Sequence, residues 1–254
     1  MRIASRWQWS RRDHAGPDIA SGGPEGTVLV SGGTGALGRA VLRELLEAGA
    51  NVVSTWIADR EVEAVREDIG EPKRLRLVEA DLSSDEGAAA AVEAAGGGGL
   101  AGLVNLVGGF TAGGRLHEAP PEEFSRMLEL NLMTAVRLTR AALPKLIEAR
   151  GAVVCVGAKY AVQPFSGATA TIVSKAALVA LVRTLALEYR DDGVRVNAIL
   201  PSVIDTPANR AGQPDADHSK WVPPAEIARV IRFLLSDEAA PVSGSLVPVY
   251  GRAG

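Results

Sequence analysis

The chain has 254 residues, 47% of them hydrophobic and 22% charged, with a formal net charge of -3. These values fit one large α/β domain and exclude disordered and fibrous classes, as well as the basic field a nucleic-acid binder needs. The single cysteine, Cys155, cannot form an internal disulfide and no Cys/His group has metal-ligand spacing, so a reducing, cytoplasmic setting without a bound metal is expected.

Residues 1–25 differ from the rest. Arg2, Arg6, Arg11 and Arg12 lie among Trp7, Trp9 and several serines, and Ser21-Gly22-Gly23-Pro24 closes the segment. No apolar stretch follows Arg11-Arg12, so a flexible N-terminal arm, or a start codon assigned too early, is expected rather than an export signal. No later stretch reads as long and apolar enough to span a membrane, so no membrane partner is expected.

From residue 26 onward strands and helices alternate. The apolar run at 27–30 reads as a buried parallel strand, and Leu37, Val41 and Leu45 mark a helix over 36–48 that Gly49 stops. A strand at 52–55, an amphipathic helix at 60–69, a strand at 75–78 and an alanine-rich helix at 84–95 follow. Gly96 to Gly99 form a turn before a strand at 103–106. Pro121 opens a long helical pattern over 121–149. Then come a strand at 153–156, a long helix at 173–189 and a strand at 194–200. Residues 202–222 read as irregular and polar, and a helix at 225–235 and a strand at 246–249 finish the chain. This order predicts a doubly wound Rossmann fold, an α/β domain over 26–254 whose parallel sheet of about seven strands carries helices on both faces.

The segment between the first strand and its helix is Ser31-Gly32-Gly33-Thr34-Gly35-Ala36-Leu37-Gly38. Gly33, Gly35 and Gly38 satisfy G-x-G-x-x-G, and Gly32, Gly35 and Gly38 satisfy G-x-x-G-x-x-G. Such a turn lets backbone approach a pyrophosphate, and the free N–H groups of the following helix present positive potential to it. An NAD or NADP site is therefore expected here. Where an NAD-preferring fold carries an acid, the second strand ends in Thr55 and Trp56, with Arg60 slightly beyond. With no carboxylate read at that place to repel a 2′-phosphate, and Arg60 able to meet one, NADP(H) is slightly favoured over NAD(H).

These residues carry a resemblance. Over 26–252 the chain resembles the short-chain dehydrogenase/reductase family. Its marks are the glycine turn, Asp81-Leu82, Asn105 with Gly108, Asn131 in a long helix, Ser174-Lys175, and Pro201 with Thr206. Within the family it is most similar to the dihydropteridine reductase group, through Gly108-Gly109-Phe110, Gly157-Ala158-Lys159, Asp205-Thr206-Pro207 and Ser243-Gly244-Ser245-Leu246. The resemblance implies that Asp81 and Leu82 flank adenine and that Asn105, Val107 and Gly108 line the ribose side. It also implies that Lys175 binds the nicotinamide ribose, that Pro201, Val203 and Thr206 belong to a segment holding the carboxamide, and that Asn131 kinks its helix and anchors a water. It further implies a homodimer or homotetramer through helices 121–149 and 173–189.

The family's catalytic tyrosine stands four residues before the lysine, and that position is Thr171 here. The position of its serine, thirteen residues before that, is Ala158. A threonine hydroxyl is a far weaker acid than a phenol beside an ammonium, and general acid help is worth about 10²–10⁴-fold in rate. Three readings stay open. A planar quinonoid, pterin-like or imine substrate would take hydride while a ring nitrogen is protonated from water. Alternatively, Tyr160 would supply the absent phenol, with Thr171 at most polarising the acceptor. Or the domain would bind coenzyme without redox turnover, as a regulator, or act as an isomerase or cyclase in the same cleft. Phe110, Tyr160 and Trp221 are candidates for an aromatic wall. His14, His117 and His218 lack a serine or carboxylate partner, so no hydrolytic triad is expected.

Overall fold

The structure, a computed structural model, describes residues 26–252; the expected arm at 1–25 lies outside the described residues. Seven strands form one parallel sheet in the order β3-β2-β1-β4-β5-β6-β7. They are β1 Thr27–Ser31, β2 Asn51–Trp56, β3 Leu75–Glu79, β4 Leu100–Asn105, β5 Ala152–Val156, β6 Arg195–Pro201 and β7 Leu246–Val249. The helices are α1 Ala36–Glu47, α2 Asp59–Ile69, α3 Asp85–Ala94, α4 Pro121–Leu128, α5 Thr134–Ala149, α6 Thr169–Glu188, α7 Pro207–Gly212 and α8 Pro224–Leu235. The doubly wound fold expected from the sequence is what is found.

Successive strand residues point to opposite faces, so each strand feeds two core layers. Val28, Val30, Val104 and Val154 face Leu42, Leu45, Ile227 and Ile231 of α1 and α8. Leu29, Leu103 and Val153 face Leu138 and Leu146 of α5 and Leu178 and Val182 of α6. Burial on both sides is why these strands read as continuous apolar runs. The half-buried guanidinium of Arg195 donates to the carbonyls of Leu234, Leu235, Ser236 and Ala239, satisfying acceptors that the end of α8 leaves free.

Four expectations need correction. β4 begins at Leu100, because Ala101 and Gly102 continue the strand although neither is β-branched. The long 121–149 pattern is interrupted at Glu129–Met133 by a π-turn that separates α4 from α5. Residues 202–222 are not wholly irregular: Thr206 accepts from Asn209 N at 3.2 Å as an N-cap, and Pro207 starts α7. α6 starts at Thr169 rather than 173, and its 20 residues are apolar and long enough to cross a membrane by length and composition. The same helix buries Leu178, Val182 and Ala186 in the core beside the sheet.

Strand order reverses between β1 and β4, and in open α/β sheets the crevice above the carboxyl ends at that point is where ligands sit. The glycine turn, the 106–115 loop after β4 and the start of α6 all gather there.

Candidate coenzyme and active site

β1 ends at Ser31 and the chain must reverse into α1 within four residues. Gly32 does so at φ 67°, a left-handed conformation that glycine adopts without a Cβ penalty. A Cβ on Gly38 would lie 2.3 Å from Gly32 O, so only glycine lets α1 press on the turn. Gly35, the N-cap, gives no side-chain cap, and the first-turn N–H groups of α1 have no intrahelical acceptors. A Cβ on Gly32 would lie 3.2 Å from Val107 N, so the turn abuts the loop after β4. This open rim of uncapped amides fits a diphosphate.

The end of β2 adjoins the turn: Gly32 N donates to Thr55 Oγ1 at 3.4 Å. Trp56 is half-buried and Arg60 is exposed. The expectation that no carboxylate stands here is corrected. Thr34 Oγ1 donates to Glu61 Oε2 at 2.9 Å, which places a carboxylate directly on the glycine turn. It was missed because α2 begins at Asp59, so its third residue leans back over the helix start toward the turn.

Asp81 lies exposed at the rim, its carboxyl held below the ordinary range mainly by the N–H of Ser83, while Leu82 is buried in the core. The Asn105 side chain turns inward, which leaves its backbone, at the end of β4, for the ribose-lining role the resemblance implied. Its Nδ2 donates to Thr139 Oγ1 at 3.0 Å and reaches Cys155 Sγ at 3.5 Å. Cys155 is fully enclosed, and burial pushes its thiol up to about 11. Thr206 Oγ1 accepts from Asn209 N to cap α7 and keeps its own O–H to donate, Pro201 closes β6, and Val203 O accepts from Val222 N at 2.9 Å.

Gly108, Asn131 and Lys175 converge. A Cβ on Gly108 would lie 2.7 Å from Asn131 Oδ1 and 2.9 Å from Lys175 Nζ. Asn131 sits on the π-turn, whose extra residue turns its amide inward. Its Oδ1 accepts from Gly109 N at 2.8 Å, and its Nδ2 donates to Gly109 O at 3.1 Å and to Ser174 Oγ at 2.9 Å. Lys175 is only 5% exposed and is therefore no surface charge. Its Nζ donates to Val156 O at 2.8 Å, and desolvation pulls its pKa down to about 8.

Thr171, one turn before Lys175, is fully buried. Its Oγ1 donates to Thr111 O at 2.8 Å and accepts from Thr111 N at 2.9 Å. The expectation that Thr171 polarises a substrate is corrected, because a hydroxyl has one proton and this one is committed to backbone. Ala158 is buried and offers no hydroxyl. Tyr160 does approach the loop after β4: its ring centroid lies 5.9 Å from that of Phe110 and 5.9 Å from that of Phe165. Burial pushes its phenol up to about 12, which makes it a weaker acid than a free tyrosine. Phe165, overlooked in the sequence, completes the cluster, whereas Trp221 packs on His218 at 4.3 Å. Among the described residues no group of His, Cys, Asp and Glu is placed to hold a metal.

A family model described as enoyl-(acyl carrier protein) reductase matches residues 33–251. The chain is 33% identical over 238 residues to 2,5-dichloro-2,5-cyclohexadiene-1,4-diol dehydrogenase from Sphingobium indicum, covering 88% of this chain and 94% of that one. It is 30% identical over 233 residues to 3-oxoacyl-[acyl-carrier-protein] reductase from Escherichia coli, covering 88% and 95%. Among solved structures, a short chain oxidoreductase from Pseudomonas aeruginosa PAO1 containing an atypical catalytic center superposes with a TM-score of 0.83 at 28% identity, covering 93% of this chain and 98% of that one. Its NADPH-bound form gives 0.81 at 29%, covering 90% and 96%. The chain belongs to the short-chain dehydrogenase/reductase family, whose members are NAD(P)-binding oxidoreductases.

Proposed function

We propose that this protein is an NAD(P)H-dependent reductase of a planar, electron-poor ring, of the pterin-like, quinonoid or imine class. The observation that carries the substrate class is the trio Phe110, Tyr160 and Phe165. Their centroids lie within 6.5 Å of one another, and Phe110 and Phe165 stay 58% and 48% exposed. Exposed, tilted rings at the mouth of a cleft suit stacking on a flat ligand. The likeness to dihydropteridine reductases noted in the sequence supports the same class.

When bound, the reduced nicotinamide supplies the hydride. The free first-turn amides of Ala36, Leu37 and Gly38 would hold the diphosphate, and the Gly108 backbone would leave room for the ribose beside Lys175. Of the three N–H bonds of Lys175 Nζ, one goes to Val156 O, leaving two to orient ribose hydroxyls. Asn131 fixes Gly109 and so shapes the floor of the cleft. Since Thr171 has no proton to give and the Tyr160 phenol is a poor acid, this is an atypical active site. It suits an acceptor whose heteroatom draws its proton from water or from Lys175, with rate acceleration resting on positioning.

The test is oxidation of NADH and NADPH by the full chain with quinonoid dihydropterin, simple quinones and cyclic imines, beside ordinary ketones. Faster turnover with the ring substrates supports the reading; no rate above the protein-free control with any acceptor discards it. A second reading, coenzyme binding without redox turnover, is favoured by the commitment of the Thr171 hydroxyl to Thr111. Product formed without nicotinamide oxidation would instead indicate an isomerase or cyclase. We further propose a cytoplasmic homo-oligomer, dimer or tetramer, in which a second copy covers α4, α5 and α6, where Val173 and Leu187 are 41% and 64% exposed.

A further inference from the structure

The Thr34–Glu61 hydrogen bond has a consequence for coenzyme choice. The diphosphate is expected at the first turn of α1, and β2 is the neighbour of β1 on the side away from β4. The adenosine ribose would therefore fall over the carboxyl end of β2, beside Thr34 and Trp56. A carboxylate at that place accepts ribose hydroxyl hydrogens and repels a 2′-phosphate carrying close to two negative charges. The strand itself ends in Thr55 and Trp56 and offers no acid. Glu61 brings one from the first turn of α2, five residues past the strand, with Oε2 2.9 Å from Thr34 Oγ1.

The surrounding charges do not reverse this. Arg39 is engaged: its Nη1 donates to Thr34 O at 2.7 Å and its Nε pairs with Asp68 at 3.0 Å. Arg60 is exposed and is flanked along α2 by Asp59 and Glu61, both in the helix's first turn. These two acids offset the N-terminal positive potential of α2 as well as the single guanidinium.

We infer that Glu61 is the specificity-determining residue for the coenzyme: it selects NAD(H) by binding the adenosine ribose hydroxyls and by excluding a 2′-phosphate. This assignment rests on the coenzyme reading above, and it reverses the slight preference for NADP(H) that the residues at the end of β2 suggested.

The test is calorimetric titration of the full chain with NADH and with NADPH, which reads affinity without turnover. Wild type is expected to bind NADH about tenfold tighter than NADPH or more, the scale of one like-charge repulsion near a protein surface. Glu61→Gln keeps an acceptor for Thr34 but removes the charge, and is expected to erase most of that ratio; Glu61→Lys is expected to invert it. Asp59→Asn removes an equal charge two residues away and is expected to shift the ratio by much less than Glu61→Gln does. Circular dichroism verifies that each variant is folded. Wild-type binding of NADPH as tightly as NADH would overturn the assignment alone, as would a Glu61→Gln ratio equal to wild type or an Asp59→Asn shift as large as that of Glu61→Gln. Binding of neither coenzyme would overturn the coenzyme reading and this assignment together.

Discussion

The hydroxyl of Thr171 is tied to the backbone of Thr111 in both directions, giving its proton to the carbonyl and receiving one from the amide. Thr111 Oγ1 in turn donates to Glu123 Oε2 at 3.0 Å, which extends the tie to α4. Asn131 binds Gly109 in the same two-way manner, so the loop after β4 is stapled at two alternate residues. The position where the family places its phenol therefore holds the loop that shapes the cleft.

Thr171→Val preserves shape and removes both bonds, leaving the Thr111 amide and carbonyl without their partner. We expect a loss of about 1–3 kcal/mol in urea denaturation, with Thr171→Ser close to wild type. Equal stability of the valine variant would show that the staple is not structural.

Lys175 has a folded pKa of about 8, below its ordinary 10.5, because burial disfavours the ammonium. Between those two values the unfolded chain binds a proton that the folded chain does not, so stability rises with pH across that window. The coenzyme-free protein should gain up to about 3 kcal/mol from pH 8 to 10.5 relative to Lys175→Met. Parallel stability curves for the two proteins would place the lysine titration outside the window. A reaction that needs the ammonium would conversely lose rate as pH rises through about 8.

Tyr160 is packed by Phe110 and Phe165 and its phenol is a weaker acid than usual. Tyr160→Phe should thus change turnover by less than about threefold, whereas removing a true proton donor costs about 10²–10⁴-fold. A hundredfold loss in steady-state rate would identify Tyr160 as the acid after all.

Gly108→Ala would bring a methyl to 2.7 Å from Asn131 Oδ1 and 2.9 Å from Lys175 Nζ. The lysine end can swing aside, but the asparagine is held by Gly109. We expect a stability loss of about 1–3 kcal/mol and weaker coenzyme binding by calorimetry. Unchanged affinity would place the coenzyme away from Gly108.

The centre of the sheet was legible because its parallel strands are buried on both faces and so read as unbroken apolar runs, as Val28 to Val30 and Val153 to Val156 do. The glycine turn was legible because its spacing is dictated by close backbone packing. What stayed hidden depends on contacts through space. Glu61 reaches Thr34 across 27 residues of chain, and Thr171 reaches Thr111 across 60. Helical periodicity does not mark the π-turn at Glu129 to Met133; only the kink at Asn131 that the resemblance implied pointed to it, and that turn is what aims Asn131 at Gly109. The Thr206-Pro207 pair did carry a helix-start signal, of a capping hydroxyl followed by a proline, inside a stretch that otherwise reads as loop. Ala101 and Gly102 hid the start of β4 because small residues carry little strand preference.

The most direct measurement is a single-turnover experiment with the coenzyme deuterated at the transferring carbon and quinonoid dihydropterin as acceptor. The account predicts deuterium in the reduced ring and a primary isotope effect on the fast phase. It also predicts sharp attenuation of both transfer and coenzyme affinity in Lys175→Ala. Coenzyme bound in the cleft with no deuterium passing to this ring, or to any quinone or cyclic imine, above the protein-free background would contradict it.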